Sequence, residues 1–551
     1  MTTIDDIEHG RVASEEASPW WRGAVIYQIY PRSFADSNGD GIGDLPGITA
    51  HLDHVASLGV DAIWLSPFFT SPMKDFGYDV ADYRDVDPIF GTLADFDALV
   101  ARAHDLGLKV IVDQVYSHTS DQHAWFAEGR ADRTNAKADW YVWADPKPDG
   151  TPPNNWQSVF GGSAWTYDSR RSQYYLHNFL GSQPDLNVHN PAVQDALLDV
   201  ARFWLDRGVD GFRLDAINFA MHDPELRDNP PATDSGPRTR SFDYQRHVYN
   251  QSHTDIPRFL ARLRALLDRY DARFTVAEIG GPEAEREMKA FTHGDALLHT
   301  AYGFIFLYAD ALEPATVRRA LSTWSGGEDE GWPSWAFSNH DAPRHLSRWA
   351  RGRDPRRLAR MTLMLLLALR GNAFLYYGEE LGLPTAAVPF ERLQDPDAIL
   401  NWPAILGRDG ARTPMPWVSG AINAGFSAAP SPDCLWLPLD PGHEALAVDI
   451  QERDPESTLA FTRRMIALRR AHEALRTGTL RFLDAPEPLL AFEREAAGEH
   501  LLCVFNLGDA ACDWTPENKE WRMIAATESD WPEGAPPLAA IPALGGYIAR
   551  R

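Results

Sequence analysis

Hydrophobic residues along this chain recur in two rhythms that take turns. One is helical: Ile48, Leu52, Val55 and Leu58 fall three or four apart and stop at Gly59. Phe96, Leu99, Val100, Ala103 and Leu106 repeat that spacing behind a Thr92-x-x-Asp95 start and stop at Gly107. Leu197, Val200, Ala201, Trp204 and Leu205 do so again and stop at Gly208. Such spacing gathers apolar side chains on one helical face, and glycine takes the left-handed backbone that ends a helix. Each run leads into a short, nearly continuous apolar stretch, at 62–65, 109–115 and 211–217. Residues 24–30, 274–278, 335–338 and 372–378 read the same way. Strands apolar on both faces, alternating with helices, predict a parallel sheet covered by helices. About eight such units in this length favour a closed (β/α)8 TIM barrel over an open doubly wound sheet.

Two stretches break the rhythm. Residues 119–190 are rich in Trp, Asn, Asp, Gly and Pro without a helical period, and predict an irregular B subdomain inserted after the third strand. Residues 379–430 form a long proline-rich excursion after the eighth, and loops of that length are seldom idle. Beyond the helix carrying Met465, Ile466, Leu468 and Leu475 the pattern turns strand-like, at 480–483, 489–492 and 501–505. The expected division is therefore an N-terminal tail (1–18), a barrel in two parts (19–118 and 191–476), the B subdomain (119–190) and a C-terminal antiparallel β-domain (477–551).

Composition narrows the function. A formal net charge of −26 argues against nucleic-acid binding, which needs basic patches. A neutral small-molecule substrate would tolerate it. The longest apolar run, 361–369, is too short to span a bilayer, and the polar, acidic N-terminus lacks the form of a secretory signal. Three cysteines without metal-type spacing fit a reducing compartment. A soluble, cytoplasmic protein is expected.

Polar residues collect where the predicted strands end: Asp113 and His118, Arg213 and Asp215, Glu278, and Asn339-His340-Asp341. In a barrel those ends share one rim, where catalysis occurs. Arg213 and Asp215, two apart on a strand, point the same way, so Arg213 is expected to lower the Asp215 pKa and hold that carboxylate ionised. Two carboxyl groups about 5 Å apart suit retaining glycoside cleavage, one as nucleophile and the other as acid and then base. Asp215 is assigned as nucleophile, Glu278 as proton donor, and Asp341 as binding the distorted sugar. Nearer the N-terminus, Asp36, Asn38, Asp40 and Gly41 match the opening half of a calcium loop. Gly47 stands where a helix-loop-helix calcium hand needs its bidentate Glu. Three carboxylates and an amide between Asp36 and Asp44 still call for a cation, Ca2+ by preference.

Residues 113–118 (DQVYSH), 211–215 (GFRLD), Glu278 and 337–341 (FSNHD) together resemble the four signature regions of the α-amylase family, glycoside hydrolase family 13. Residues 183–187 (QPDLN) resemble a fifth region in the form typical of oligo-1,6-glucosidases and α-glucosidases, and 27–34 and 411–417 strengthen that subfamily. The resemblance implies a catalytic barrel, a B subdomain and a C-terminal β-domain. It also implies Asp215 as nucleophile, Glu278 as acid/base and Asp341 as the transition-state carboxylate, with Tyr78, His118, Arg213 and His340 lining the glucose pocket. Asp75 and Arg412 match the pair that grips the outer hydroxyl of that glucose in exo-acting relatives. Asp36, Asn38, Asp40 and Asp44, with the Ile42 carbonyl, match the subfamily's divalent-cation site, usually calcium with magnesium possible.

Departures from the family pattern bear on specificity. Tyr116-Ser117 replaces the Val-Asn of many relatives beside His118. Ala216 replaces the Val of strict oligo-1,6-glucosidases, which favours α-1,4 links and small aglycones. The arginine-rich loop of sucrose isomerases is absent after Asp341, where 342–348 reads APRHLSR. The expected activity is an exo-acting retaining α-glucosidase with transglucosylation, acting on maltose-type oligosaccharides and α-glucosides as a monomer or homodimer. A mainly transferring or isomerising enzyme is the alternative, and a catalytically silent partner subunit the alternative from another class.

Overall fold

The computed structural model describes residues 18–233, 238–322, 324, 331–528 and 530–551, so the expected tail lies almost wholly outside the described residues. Eight parallel strands close into the predicted barrel. They are β1 (Val25–Ile29), β2 (Ala62–Leu65), β3 (Lys109–Val115), β4 (Gly211–Asp215), β5 (Phe274–Ile279), β6 (Thr300–Gly303), β7 (Trp332–Ala336) and β8 (Asn372–Tyr376). Closure comes from β8 pairing in parallel with β1, Ala373 opposite Val25. Every residue of β1, β2, β4, β5, β7 and β8 is buried, as expected for strands packed inside and covered outside. At Gly211 a side chain would not fit: a Cβ there would lie 2.5 Å from the Phe274 carbonyl oxygen.

Helices follow the strands, among them α1 (Leu45–Ser57), α2 (Leu93–Asp105), α3 (Pro191–Asp206), α4 (Ile256–Leu267), α5 (Pro355–Ala368) and α6 (Thr458–Ala471). The Thr92-x-x-Asp95 start is a reciprocal cap, each side chain accepting the other residue's N–H, which satisfies donors the first turn leaves free. Two strands depart from the hydrophobic reading. β7 begins at Trp332, not 335, because Pro333 sits near the strand start opposite Ala301, where a missing N–H costs little. β6, only four residues with Thr300 and Tyr302 inside it, has no apolar run to announce it.

Between β3 and α3 the chain builds helix Ala124–Gly129 and a three-stranded antiparallel sheet from Trp143–Ala144, Gln173–Leu176 and Trp165–Asp168. Val142, Trp156, Trp165 and Leu176 give it a small core of its own. After β8 an irregular excursion folds back over the first loop of the barrel, with Met415 N–H on Ser33 O at 2.9 Å and Trp417 Nε1 on Phe34 O at 2.7 Å. The C-terminal sheet is antiparallel, made from β9 (Thr479–Phe482), β10 (Leu489–Ala496), β11 (Glu499–Asn506), β12 (Arg522–Ala526) and β13 (Gly546–Arg550) in the order β9-β10-β11-β13-β12. Two fully buried arginines gather at the N-terminal end of the barrel, Arg494 from β10 of this sheet and Arg469 from α6. Arg494 donates to the carbonyls of Ala368, Gly478 and Thr479 at 2.5 to 3.1 Å. Arg469 donates to Gly23 O at 3.0 Å and Gly371 O at 2.5 Å, where β1 and β8 begin. No helix among the described residues is long and apolar enough to cross a membrane.

Candidate active site

The C-terminal end of the barrel converges on one guanidinium. Arg213, fully buried on β4, gives Nη1 to Asp113 Oδ1 at 2.7 Å and to Asp215 Oδ1 at 2.5 Å, while Nη2 meets Glu278. Asp113 comes from β3, Asp215 from β4 and Glu278 from β5, so three neighbouring strands deliver three carboxylates to one cation. The Tyr302 hydroxyl on β6 accepts from Arg213 Nη2 at 3.1 Å and donates to Glu278 Oε1 at 3.0 Å. The Ala216 N–H also reaches Glu278, at Oε2, 3.2 Å away. Asp215 and Glu278 therefore sit on the two arms of the same arginine.

Asp341 stands on the far side of this cluster, beyond β7. Arg412 Nη2 holds its Oδ1 at 2.8 Å and His340 Nε2 meets its Oδ2 at 3.1 Å. Gln28 Nε2 donates to His340 Nδ1 at 2.8 Å, which leaves the imidazole proton on Nε2. That N–H faces the Tyr78 oxygen at 2.6 Å, and the Tyr78 hydroxyl hands its own hydrogen to Asp113 Oδ2 at 3.1 Å. A donor chain thus runs from β1 through His340 and Tyr78 to the carboxylate that anchors Arg213. His118 donates Nε2–H to the Tyr78 carbonyl at 3.1 Å, and Ser117 Oγ faces its Nδ1 at 3.0 Å. The serine that stands in this unusual place thereby gives His118 a hydrogen-bond partner.

One pairing is corrected. The sequence resemblance couples Asp75 to Arg412, but Arg412 is spent on Asp341 and on the His340 carbonyl at 2.6 Å. Asp75 pairs with Arg408 at 3.0 Å, and Arg408 also touches Asp395 at 2.8 Å and Asp341 at 3.4 Å. Both arginines flank a single turn, Asp409–Ala411, and the one at its N-terminal side has the reach. Gln183 completes the grip, donating to Asp75 Oδ2 at 3.1 Å. The sequence reading missed Arg408, Tyr302, Gln28 and Asp395. Of these, Arg408 carried a signal, as a second arginine on the site-building excursion.

The electrostatics also differ from expectation. Burial pushes Asp215 up to about 7 against the pull of Arg213, and Glu278 likewise up to about 7, with Asp215 and Asp341 adding to the rise. Asp113 is pushed up to about 6 by burial. Arg213 does not hold Asp215 below its ordinary value, because one positive charge is divided among three carboxylates in a dry site. Asp341 goes the other way: burial opposes its charge, but the His340 N–H, Arg412 and Arg408 hold it well below the usual range. Burial lowers His340 to about 3 and His118 to about 4, so both rings are neutral donors at working pH.

The 36–44 loop lies outside this pocket, against the excursion after β8. Asp36 accepts N–H from Asn38, Gly39 and Gly41 at 2.7 to 3.0 Å and the Ser427 hydroxyl at 2.5 Å. Asp44 caps α1 through Gly47 N–H at 2.6 Å. Gly41 has φ +91° and runs so close to Cys434 that a Cβ would lie 2.1 Å from its carbonyl oxygen. Among the described residues none of Asp36, Asp40 and Asp44 takes part in an ion pair. Hard oxygen donors of this kind are the ligand type that a cation of the calcium class takes.

The family profile described as the alpha amylase catalytic domain matches residues 28–478. This chain belongs to the alpha-amylase family. Within that family it is 55% identical over 500 residues to a protein of Rhizobium meliloti (strain 1021) named probable alpha-glucosidase, covering 89% of this chain and 90% of that one. It is 36% identical over 554 residues to an oligo-1,6-glucosidase of Heyndrickxia coagulans, covering 93% and 96%. A solved structure of an alpha-glucosyl transfer enzyme, XgtA, matches with a TM-score of 0.91 at 51% identity over 97% of this chain and 100% of that one. An isomaltulose synthase from Protaminobacter rubrum matches with a TM-score of 0.87 at 30% identity over the same shares. The alpha-amylase family is one of glycoside hydrolases, and this enzyme carries its polar cluster on the C-terminal rim of the family barrel.

Proposed function

We propose that this enzyme is an exo-acting retaining α-glucosidase that also transfers glucosyl groups. The reading is carried by one observation: Asp215 and Glu278 share the Arg213 guanidinium, close enough to act on one glycosidic bond. With both pushed up to about 7, one proton is shared between the pair near neutrality. Asp215, ionised, attacks the anomeric carbon while Glu278, protonated, gives its hydrogen to the departing oxygen. The bond to the aglycone breaks and a glucosyl ester of Asp215 forms. Glu278, now a carboxylate, takes a proton from water, whose oxygen attacks the same carbon and frees Asp215. An alcohol in place of water gives a transferred glucoside. Asp341, held ionised, stabilises positive charge developing on the ring, and Tyr78, His118 and His340 line the pocket for the glucose being cleaved off. The Asp75–Arg408 pair with Gln183 closes the end of the pocket, which favours removal of a terminal glucose over cleavage within a chain.

In the loop, Asp36, Asn38, Asp40 and Asp44 with the Ile42 carbonyl would hold Ca2+, or Mg2+ in its place, and the ion would neutralise the gathered negative charge. The nature of the activity is tested with p-nitrophenyl α-glucoside, wild type beside Asp215→Asn. Release of nitrophenol by wild type alone is expected, and undiminished turnover in the variant would sink the assignment. The alternative of a mainly transferring enzyme is favoured by the similarity to the alpha-glucosyl transfer enzyme, and product analysis on maltose, isomaltose and sucrose distinguishes it. Isomerisation is disfavoured because Arg344 and Arg348, which follow Asp341, are occupied by backbone carbonyls of Tyr377, Ala411, Phe306 and Ala309. A silent partner subunit is disfavoured by the retained carboxylates.

A further inference from the structure

A second group of potential ligands lies at the outer edge of the same barrel face. His189 lies just before Asn190, the residue that caps α3, and His253 and Asp255 precede α4. A ring nitrogen of each histidine and a carboxylate oxygen of Asp255 lie within 4.8 Å of one another. All three residues are partly exposed. The two imidazoles stand perpendicular, ring centres 4.9 Å apart, a placement that gives them no stacking contact.

Their other contacts leave the Nδ1 lone pair of His189 free and engage that of His253 only in a long backbone hydrogen bond. His189 donates Nε2–H to the His222 carbonyl at 2.7 Å, so its Nδ1 carries the lone pair. A metal-bound histidine characteristically makes this arrangement, its far N–H fixed by a backbone carbonyl. His253 Nδ1 accepts the Asp255 backbone N–H at 3.2 Å and lies 4.0 Å from Asp255 Oδ2. Asp255 occupies the cap position of α4 without using its side chain to cap. Its Oδ1 is paired with Arg258 at 2.8 Å, while Oδ2 turns toward the histidines.

We propose that His189, His253 and Asp255 form a binding site for a divalent transition metal of the zinc class, separate from the 36–44 loop. Two imidazole nitrogens and one carboxylate oxygen suit such an ion, with water at the fourth position, and suit calcium poorly. Tetrahedral coordination with bonds of about 2.1 Å spaces ligand atoms roughly 3.4 Å apart, so the side chains need only close inward. The ion would join the starts of α3 and α4 and clamp the end of the loop that runs from β4 to α4. That loop reaches the catalytic cluster from behind, since Ser252 N–H is bonded to the carbonyl of Asn218, three residues past Asp215.

Zn2+ itself is the probe. Full-length enzyme stripped of transition metals, kept saturated with Ca2+ so that the acidic loop is occupied, is titrated with Zn2+ by calorimetry and followed by thermal unfolding. One equivalent is expected to bind and raise the melting temperature. His189→Ala and His253→Ala should each weaken binding by at least about tenfold and abolish the thermal shift, with turnover of p-nitrophenyl α-glucoside in metal-free buffer unchanged. Asp255→Asn should weaken binding less. Equal Zn2+ affinity in wild type and the His189→Ala/His253→Ala double variant would overturn the proposal, as would no saturable binding to folded wild type.

Discussion

Buried arginines occupy both ends of the barrel, and the two ends use them in opposite ways. At the N-terminal end Arg469 and Arg494 have no carboxylate partner among the described residues and spend their hydrogen bonds on carbonyls. Burial lowers their pKa values, to about 10 and about 9. At the C-terminal end burial works against Arg213 too, but Asp113 and Glu278 push its pKa above the ordinary value. One end is short of negative charge and the other has too much. Unused backbone acceptors make the first a joint. Surplus carboxylates make the second reactive, because a proton must then be shared. Stability and chemistry are thus drawn from the same residue type by the company it keeps.

The contrast breaks most sharply at Asp215. Asp215→Asn is expected to cut kcat on the order of 10^4-fold or more without unfolding the enzyme. Acids whose folded pKa is raised hold protons the unfolded chain releases, so Asp113, Asp215 and Glu278 cost stability as pH rises from about 4 through about 7. The variant should therefore gain melting temperature relative to wild type at pH about 8 and gain little at pH about 5. A uniform loss at both would contradict the surplus-charge picture. At the other end, Arg494→Met should lose about 3 kcal/mol of stability from three abandoned carbonyls, read by urea unfolding, with kcat/KM unchanged in the folded enzyme.

Arg408→Lys keeps the charge but loses the fork shared by Asp75 and Asp395. We expect kcat/KM on maltose to drop about 100-fold, or about 2.7 kcal/mol, and longer oligosaccharides to suffer less than maltose. Tyr302→Phe removes a donor from Glu278 and should lower kcat about tenfold. The wild-type profile of kcat/KM against pH should be bell-shaped around 7, from the Asp215 and Glu278 values. In the variant its alkaline limb should move to higher pH, since the Glu278 carboxylate loses a stabilising hydrogen bond. Smallest of all, chelation should cost about 1 kcal/mol of stability, read as a lower melting temperature, and Asp36→Asn should remove that sensitivity.

Much of this arrangement was legible in the chain because each reactive side chain sits where an apolar strand stops, a position periodicity marks directly. Asp113, Arg213, Asp215, Glu278 and the 339–341 triplet all obey that rule. Tyr302 escaped it because β6 is four residues long and polar within, so its end had no beginning. The choice between Arg408 and Arg412 turned on reach across a tight turn, which spacing alone does not give. The Asp215 pKa was misjudged for a related reason. Residues 213 and 215 show one cation beside one anion, while the other two carboxylates arrive from strands about 100 and 60 positions away.

The bond between Asp36 and Ser427 spans 391 residues, and it fixes when this enzyme becomes competent. Asp215 and Glu278 leave the ribosome well before Arg408 and Arg412, and the segment bearing those arginines is buttoned to the first loop of the barrel through Phe426, Ser427 and Trp436. A nascent chain therefore carries Asp215 and Glu278 for more than a hundred residues of synthesis without the arginines that complete the cluster. The cluster is complete only when the last-made part of it reaches back to one of the first.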